Sequence, residues 1–173
     1  MAKGILIPIG GNEDKGKGDV SENYTLDFIA DGILSNVVRE SGGADSNIIV
    51  VPTASSIQKE VGRNYIEAFQ KLGCKNVKVL SINSVKEAES KENIKALEES
   101  SCIMFSGGDQ SRIVDFIGNT KFHTILKDRY EKEKFVIAGT SAGAMCMSEE
   151  MIAGGNITES LYRGSVKFRK GMG

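Results

Sequence analysis

Short apolar runs alternate with longer amphipathic stretches along this chain. Gly4-Ile-Leu-Ile-Pro-Ile9 is continuously apolar and stops at Gly10-Gly11, as a strand covered on both faces does. Leu26, Ile29, Ile33 and Val37 recur at helical spacing, with Ala30, Leu34 and Val38 beside them. They predict an amphipathic helix from Thr25 to Ser41, closed by Gly42-Gly43. Asn47-Ile-Ile-Val-Val-Pro52 reads as a second buried strand; after the polar turn Thr53-Ala-Ser-Ser56, Val61, Tyr65, Phe69 and Leu72 mark a helix. Lys75 to Leu80 alternates like a strand nearer a sheet edge. Val85 to Glu99 reads as one charged helix with Ala88, Ile94 and Leu97 turned inward. Ser101-Cys-Ile-Met-Phe105 is another buried strand, ending at Ser106-Gly-Gly-Asp-Gln110. Ile113, Val114, Phe116 and Ile117 predict a short helix, and Phe122, Ile125, Leu126 and Tyr130 a second one. The apolar run Phe135-Val-Ile-Ala138 is the fifth strand, and a helix is predicted after it through about Met151.

Five alternations of strand and helix, with no repeat or linker between them, predict a single α/β domain over residues 1–173. Its layers would be three, a mostly parallel sheet with helices on both faces. In such folds the chemistry collects at the carboxyl ends of the strands. Four unusual loops fall there: Gly10-Gly11, Thr53-Ala54-Ser55, Gly107-Gly108-Asp109-Gln110 and Gly139-Thr140-Ser141-Ala142-Gly143.

Composition narrows the function classes. With 22 basic against 23 acidic residues, nothing points to a nucleic-acid or membrane surface. The N-terminal apolar run has no cleavage-site pattern after it and reads as a strand. Cys74, Cys102 and Cys146 form no metal-ligand spacing and cannot all pair with one another. Reduced structural thiols in a cytoplasmic protein, with no metal and no cofactor, are the expectation. No GxGxxG or phosphate-loop pattern occurs, which removes support from dinucleotide and nucleotide hydrolysis readings.

The last of the four loops has the order G-x-S-x-G. A buried strand that turns sharply into a helix leaves one side chain, here Ser141, on a strained backbone. Gly139 and Gly143 leave room where strand and helix nearly touch, and the N–H of Ala142 opens the helix. Gly107-Gly108 would let main-chain N–H groups approach a ligand, so Gly108 and Ala142 form a candidate oxyanion hole, with Asp109 capping the next helix. Each loop also has a plainer reading, a glycine-rich turn with an Asx cap. The one histidine, His123, precedes Ser141 on a surface-type helix, whereas elbow folds place it after the serine. Glu13, Asp14 and Asp109 are acids that could meet a guanidinium or simply be solvated.

Gly10-Gly-Asn-Glu-Asp-Lys15, Pro52-Thr-Ala-Ser55, Gly107-Gly-Asp-Gln110 and Gly139-Thr-Ser-Ala-Gly-Ala144, in this order, resemble the cyanophycinases. These are serine peptidases related to aspartyl dipeptidase, on a flavodoxin-like fold similar to class I glutamine amidotransferases. The resemblance implies Ser141 as nucleophile, Gly107, Asp109 and Gln110 as substrate-binding residues, and Glu159 as a possible acid. It also implies a cyanophycin-like peptide substrate, no nucleic-acid or membrane partner, and a homodimer. Cyanophycinases continue into an Asp-x-His-Phe segment carrying the catalytic histidine, and this sequence stops at Lys170-Gly-Met-Gly173. The C-terminal part of the family domain is therefore expected to be missing, with Asn156 to Gly173 poorly packed or covered by a second subunit. Two alternatives stand beside the cyanophycinase reading: an aspartyl dipeptidase-like peptidase, and a noncatalytic domain that keeps the pocket without the base.

Overall fold

The computed structural model describes residues 2–17, 26–154 and 166–173. Five strands, β1 (Ile5–Ile9), β2 (Asn47–Val51), β3 (Asn76–Val79), β4 (Cys102–Phe105) and β5 (Val136–Thr140), form one parallel sheet in the order β1-β5-β4-β2-β3. Alternate residues of each strand point to opposite faces, and each face is closed by helices. Ile48, Val50, Cys102, Met104, Val136 and Ala138 meet Leu34, Val37 and Val38 of α1 (Ile33–Glu40) and Tyr65, Ala68 and Phe69 of α2 (Gln58–Lys71). Ile49, Val51, Ile103, Phe105 and Ile137 meet the other helices: α3 (Val85–Ala88), α4 (Lys91–Glu98), α5 (Gln110–Ile117), α6 (Lys121–Lys132) and α7 (Ala142–Met145). The expected three-layer α/β architecture is what forms.

Four expectations change for local reasons. The helix predicted from Thr25 begins only at Ile33. Asp27 Oδ1 accepts the N–H groups of Ile29 (2.9 Å) and Ala30 (2.7 Å), drawing the chain into a turn, so Leu26 and Ile29 stay exposed. The charged stretch after Val85 breaks into α3 and α4, because extended Ser90 caps a new helix by accepting the Asn93 N–H. The helix after Ser141 is a single turn. Beyond it the chain forms β6 (Glu150–Gly154), paired antiparallel with β7 (Lys167–Lys170).

The fourth change concerns β1, which lies at the sheet edge with Leu6 and Pro8 exposed, not covered on both faces. Ile5 donates its N–H to Phe135 O, and Ile9 O accepts the Ser141 N–H, both at 2.9 Å. Odd-numbered residues of β1 therefore turn their polar groups toward β5, and Pro8 lacks a donor on the open side, where none is needed. Of the tail expected to be poorly packed or covered by a second subunit, the described residues 166–173 are tied down near Met172 and leave Phe168 exposed. Gly171 N donates to Glu149 O and Met172 N to Cys146 O, each at 2.8 Å, and Met172 is buried. The part of that expectation covering residues 156–165 lies outside the described residues.

Candidate functional site

β5 is buried throughout, and the chain leaves it at Ser141 with φ 50° and ψ −109°. Such a backbone conformation costs a non-glycine residue of order 1–3 kcal/mol and persists only where the surroundings over-determine it. The surroundings here are main chain. A Cβ on Gly139 would sit 2.5 Å from Gly143 O, and one on Gly143 would sit 2.5 Å from Phe105 O. No side chain fits between β5, α7 and the end of β4, so the small residues of the motif are a steric necessity. The Ser141 N–H is spent on Ile9 O, while its carbonyl accepts the N–H groups of Ala144 and Met145 at 2.9 Å. Its side chain stands exposed at the carboxyl end of the sheet.

The other three loops converge on this point. A Cβ on Gly107 would lie 3.5 Å from the Ser141 Cβ, and one on Gly11 would lie 3.7 Å from it, so both backbones flank the serine. Gly108, at φ +139°, has its Cα against Ala54; a Cβ there would be 2.2 Å from Ala54 O, the same oxygen that accepts the Asp109 N–H at 3.0 Å. Asp109 caps α5 through the Ser111 N–H at 2.8 Å, as expected. Gln110 donates from Nε2 to Ile152 O of β6 at 2.5 Å, tying the loop to an element that periodicity does not reveal.

The acids do not form an exposed cluster. Glu13 is buried with its side chain fully covered, which corrects its reading as a surface acid free to meet a guanidinium. Its Oε1 accepts the Tyr65 hydroxyl at 2.5 Å and lies 3.3 Å from Lys15 Nζ. Burial, and then the adjacent Glu13 charge and hydrogen bond, push the Tyr65 phenol far up, so it remains a donor. Lys17 Nζ reaches Asn64 Oδ1 at 2.6 Å and Lys71 Nζ reaches Gly16 O at 2.5 Å, so the whole loop is clasped onto α2. Nothing local in the sequence announces this, since Tyr65 reads as one more core position of its helix. Asp14 is turned inward on its own loop, accepting the Gly16 N–H at 2.7 Å. Glu159 lies outside the described residues.

His123 is engaged away from the serine. Its Nδ1 accepts the Asn119 N–H at 3.1 Å, which leaves the proton on the buried Nε2. The ring lines a cavity of about 50 Å³ with Leu6, Leu126, Met147 and Met172, and Ser141 is not among its walls. Burial holds its pKa below the ordinary 6.5, the Met172 main chain works against that, and Lys127 adds to it. All three cysteines are free and buried; burial pushes Cys102 and Cys146 up to about 12, so neither is a thiolate nucleophile. No helix among the described residues is long and apolar enough to cross a membrane.

Parallel topology, four loops at one end of the sheet and a serine on strained backbone between strand and helix define a three-layer α/β protein with its candidate site at the carboxyl end of the sheet. The description of peptidase family S51 matches residues 16–165, and the chain belongs to that family. It is 32% identical over 168 residues to the cyanophycinase of Geminocystis herdmanii, covering 97% of this chain and 57% of the relative. It is 33% identical over 171 residues to that of Synechococcus elongatus, covering 99% and 49%. The chain thus spans about half the length of these relatives. Among solved structures, a peptidase from an acI-B1 actinobacterium superposes with a TM-score of 0.73 at 21% identity, over 99% of this chain and 65% of its own. A putative peptidase E protein of Listeria monocytogenes gives 0.56 at 17% identity, over 79% and 67%. These two likenesses establish the fold.

Proposed function

We propose that this chain carries the nucleophile of a cyanophycinase-like serine peptidase, which hydrolyses arginyl-polyaspartate to β-aspartyl-arginine dipeptides. The observation that carries the reading is Ser141 itself, exposed on a positive-φ turn between β5 and α7 with the Gly11 and Gly107 backbones on either side. Ser141 Oγ attacks the scissile carbonyl carbon, the N–H groups of Gly108 and Ala142 hold the oxyanion, the C–N bond breaks as the departing amine takes up the Ser141 proton, and water then cleaves the acyl-serine ester and restores the hydroxyl. That the Ser141 N–H is already bonded to Ile9 O supports Ala142 as the donor on the elbow side. Gly107, Asp109 and Gln110 line the substrate side, and Glu159 is the acid that the resemblance offers. A homodimer would cover the exposed cross-strand pair Ile152 and Phe168. Three free buried thiols support a reducing, cytoplasmic setting.

The sequence has one histidine, and His123 is bonded to Asn119 and faces another cavity. That placement of His123 favours the noncatalytic alternative. Active-site titration with a serine-directed phosphonate decides between them: labelling that disappears in Ser141→Ala supports an activated nucleophile, and no labelling sinks it. Release of dipeptides from insoluble cyanophycin, set against cleavage of Asp-X dipeptides, separates this reading from an aspartyl dipeptidase.

A further inference from the structure

The geometry points to Glu13 as a positioning residue: held by Tyr65 of α2, its buried carboxylate sets the Gly10–Asn12 backbone against Ser141 and so fixes the wall of the nucleophile pocket. The inference rests on the reading of Ser141 as the reacting residue. Its first support is continuity. Ile9 O accepts the Ser141 N–H at 2.9 Å, and Gly11, two residues further on, would place a Cβ 3.7 Å from the Ser141 Cβ. Gly11 at φ 139° and Asn12 at φ 43° turn the chain sharply, and Glu13 then enters the protein with its side chain fully covered. A movement of Glu13 is passed through two residues to the backbone touching the serine.

The second support is the character of the clasp. Oε1 is bonded to Tyr65 and close to Lys15, whose ammonium also lies 5.0 Å over the Tyr65 ring. Oε2 is buried with no hydrogen-bond partner. A side chain present for stability alone would not leave a carboxylate oxygen unsatisfied, because buried acceptors without donors are rare and costly. Thr140 Oγ1 is another such side-chain atom among the described residues. Thr140 directly precedes the serine, and Glu13 follows by two residues the Gly11 backbone that lies against it.

Amide hydrogen exchange on the full chain tests this without requiring turnover. Tyr65→Phe removes the donor and Glu13→Leu the acceptor, while Glu13→Gln keeps an acceptor oxygen for Tyr65. We expect protection of the Ser141 amide to fall about tenfold or more beyond any loss at the β2 and β4 amides in Tyr65→Phe and Glu13→Leu, with Glu13→Gln close to the parent protein. Protection lost evenly across the sheet, or a Ser141 amide indifferent to both changes, overturns the proposal; if Glu13→Leu does not fold, Tyr65→Phe alone decides it. Phosphonate labelling of the same samples reports separately on the nucleophile. A parent protein that fails to label, yet shows the local loss of protection, counts against the peptidase reading and not against the clasp.

Discussion

The elbow at Gly139–Gly143 is held by backbone lying on backbone, whereas the loop from Gly10 to Lys17 is held by side chains that reach α2. In the elbow, β5, α7 and the end of β4 approach until an added Cβ meets a carbonyl oxygen at 2.5 Å, and nothing larger than glycine fits. In the β1 loop the space is filled by Glu13 against Tyr65, Lys17 against Asn64 and Lys71 against Gly16. Both serve the same point, one by presenting Ser141 and the other by walling it in. The elbow tolerates almost no change in size, while the loop tolerates changes that keep its hydrogen bonds.

The largest effect expected from that contrast comes from enlarging the elbow. Gly143→Ala should cost ~3 kcal/mol or prevent folding, because Phe105 O cannot retreat without moving β4. A melting temperature within a degree of the parent protein would break the comparison. Loosening the clasp comes next: Tyr65→Phe should cost ~1–3 kcal/mol by stripping a donor from buried Glu13, read from denaturant midpoints at unchanged slope. Relieving the elbow strain should act in the opposite direction, with Ser141→Gly gaining ~1 kcal/mol, a rise of about 2–4 °C for a chain of this size, while abolishing phosphonate labelling. No gain would mean that the positive φ is not strained in this setting. Asp109→Ala, which removes a cap beside the site without touching either device, should cost ~1 kcal/mol in the same assay.

The smallest effect is a dependence on pH. Burial depresses the His123 pKa in the folded protein, so the unfolded chain binds more protons as pH falls below about 6.5. Stability is therefore full above 6.5 and declines as pH drops through the folded value, and His123→Gln should flatten that slope while leaving phosphonate labelling unchanged. A slope identical in the variant would show that His123 is not the group responsible.

Much of the site was legible because its devices are local. G-x-S-x-G after an apolar run, Gly-Gly-Asp after another, and small residues where strand and helix cross each state a backbone requirement within a few consecutive residues. The fold class followed from the same alternation. Elements depart from the periodic pattern where a polar side chain outweighs it, as Asp27 does before α1 and Ser90 does between α3 and α4. The β6–β7 ribbon has no periodic signature in the sequence, because two short strands beside a one-turn helix leave too few residues to show a period.

By itself, then, the sequence determined a parallel α/β sheet, the four loops at its carboxyl end and the residue that turns out of β5 on strained backbone. The tertiary structure alone decided which strand is the edge, that Glu13 is a buried clasp and not a surface acid, and that His123 is turned toward a different cavity. The reason is physical. Backbone sterics act between neighbours in the chain, while the bond from Glu13 to Tyr65 joins residues 52 apart, and the environment of each exists only once the sheet and its helices have closed around them.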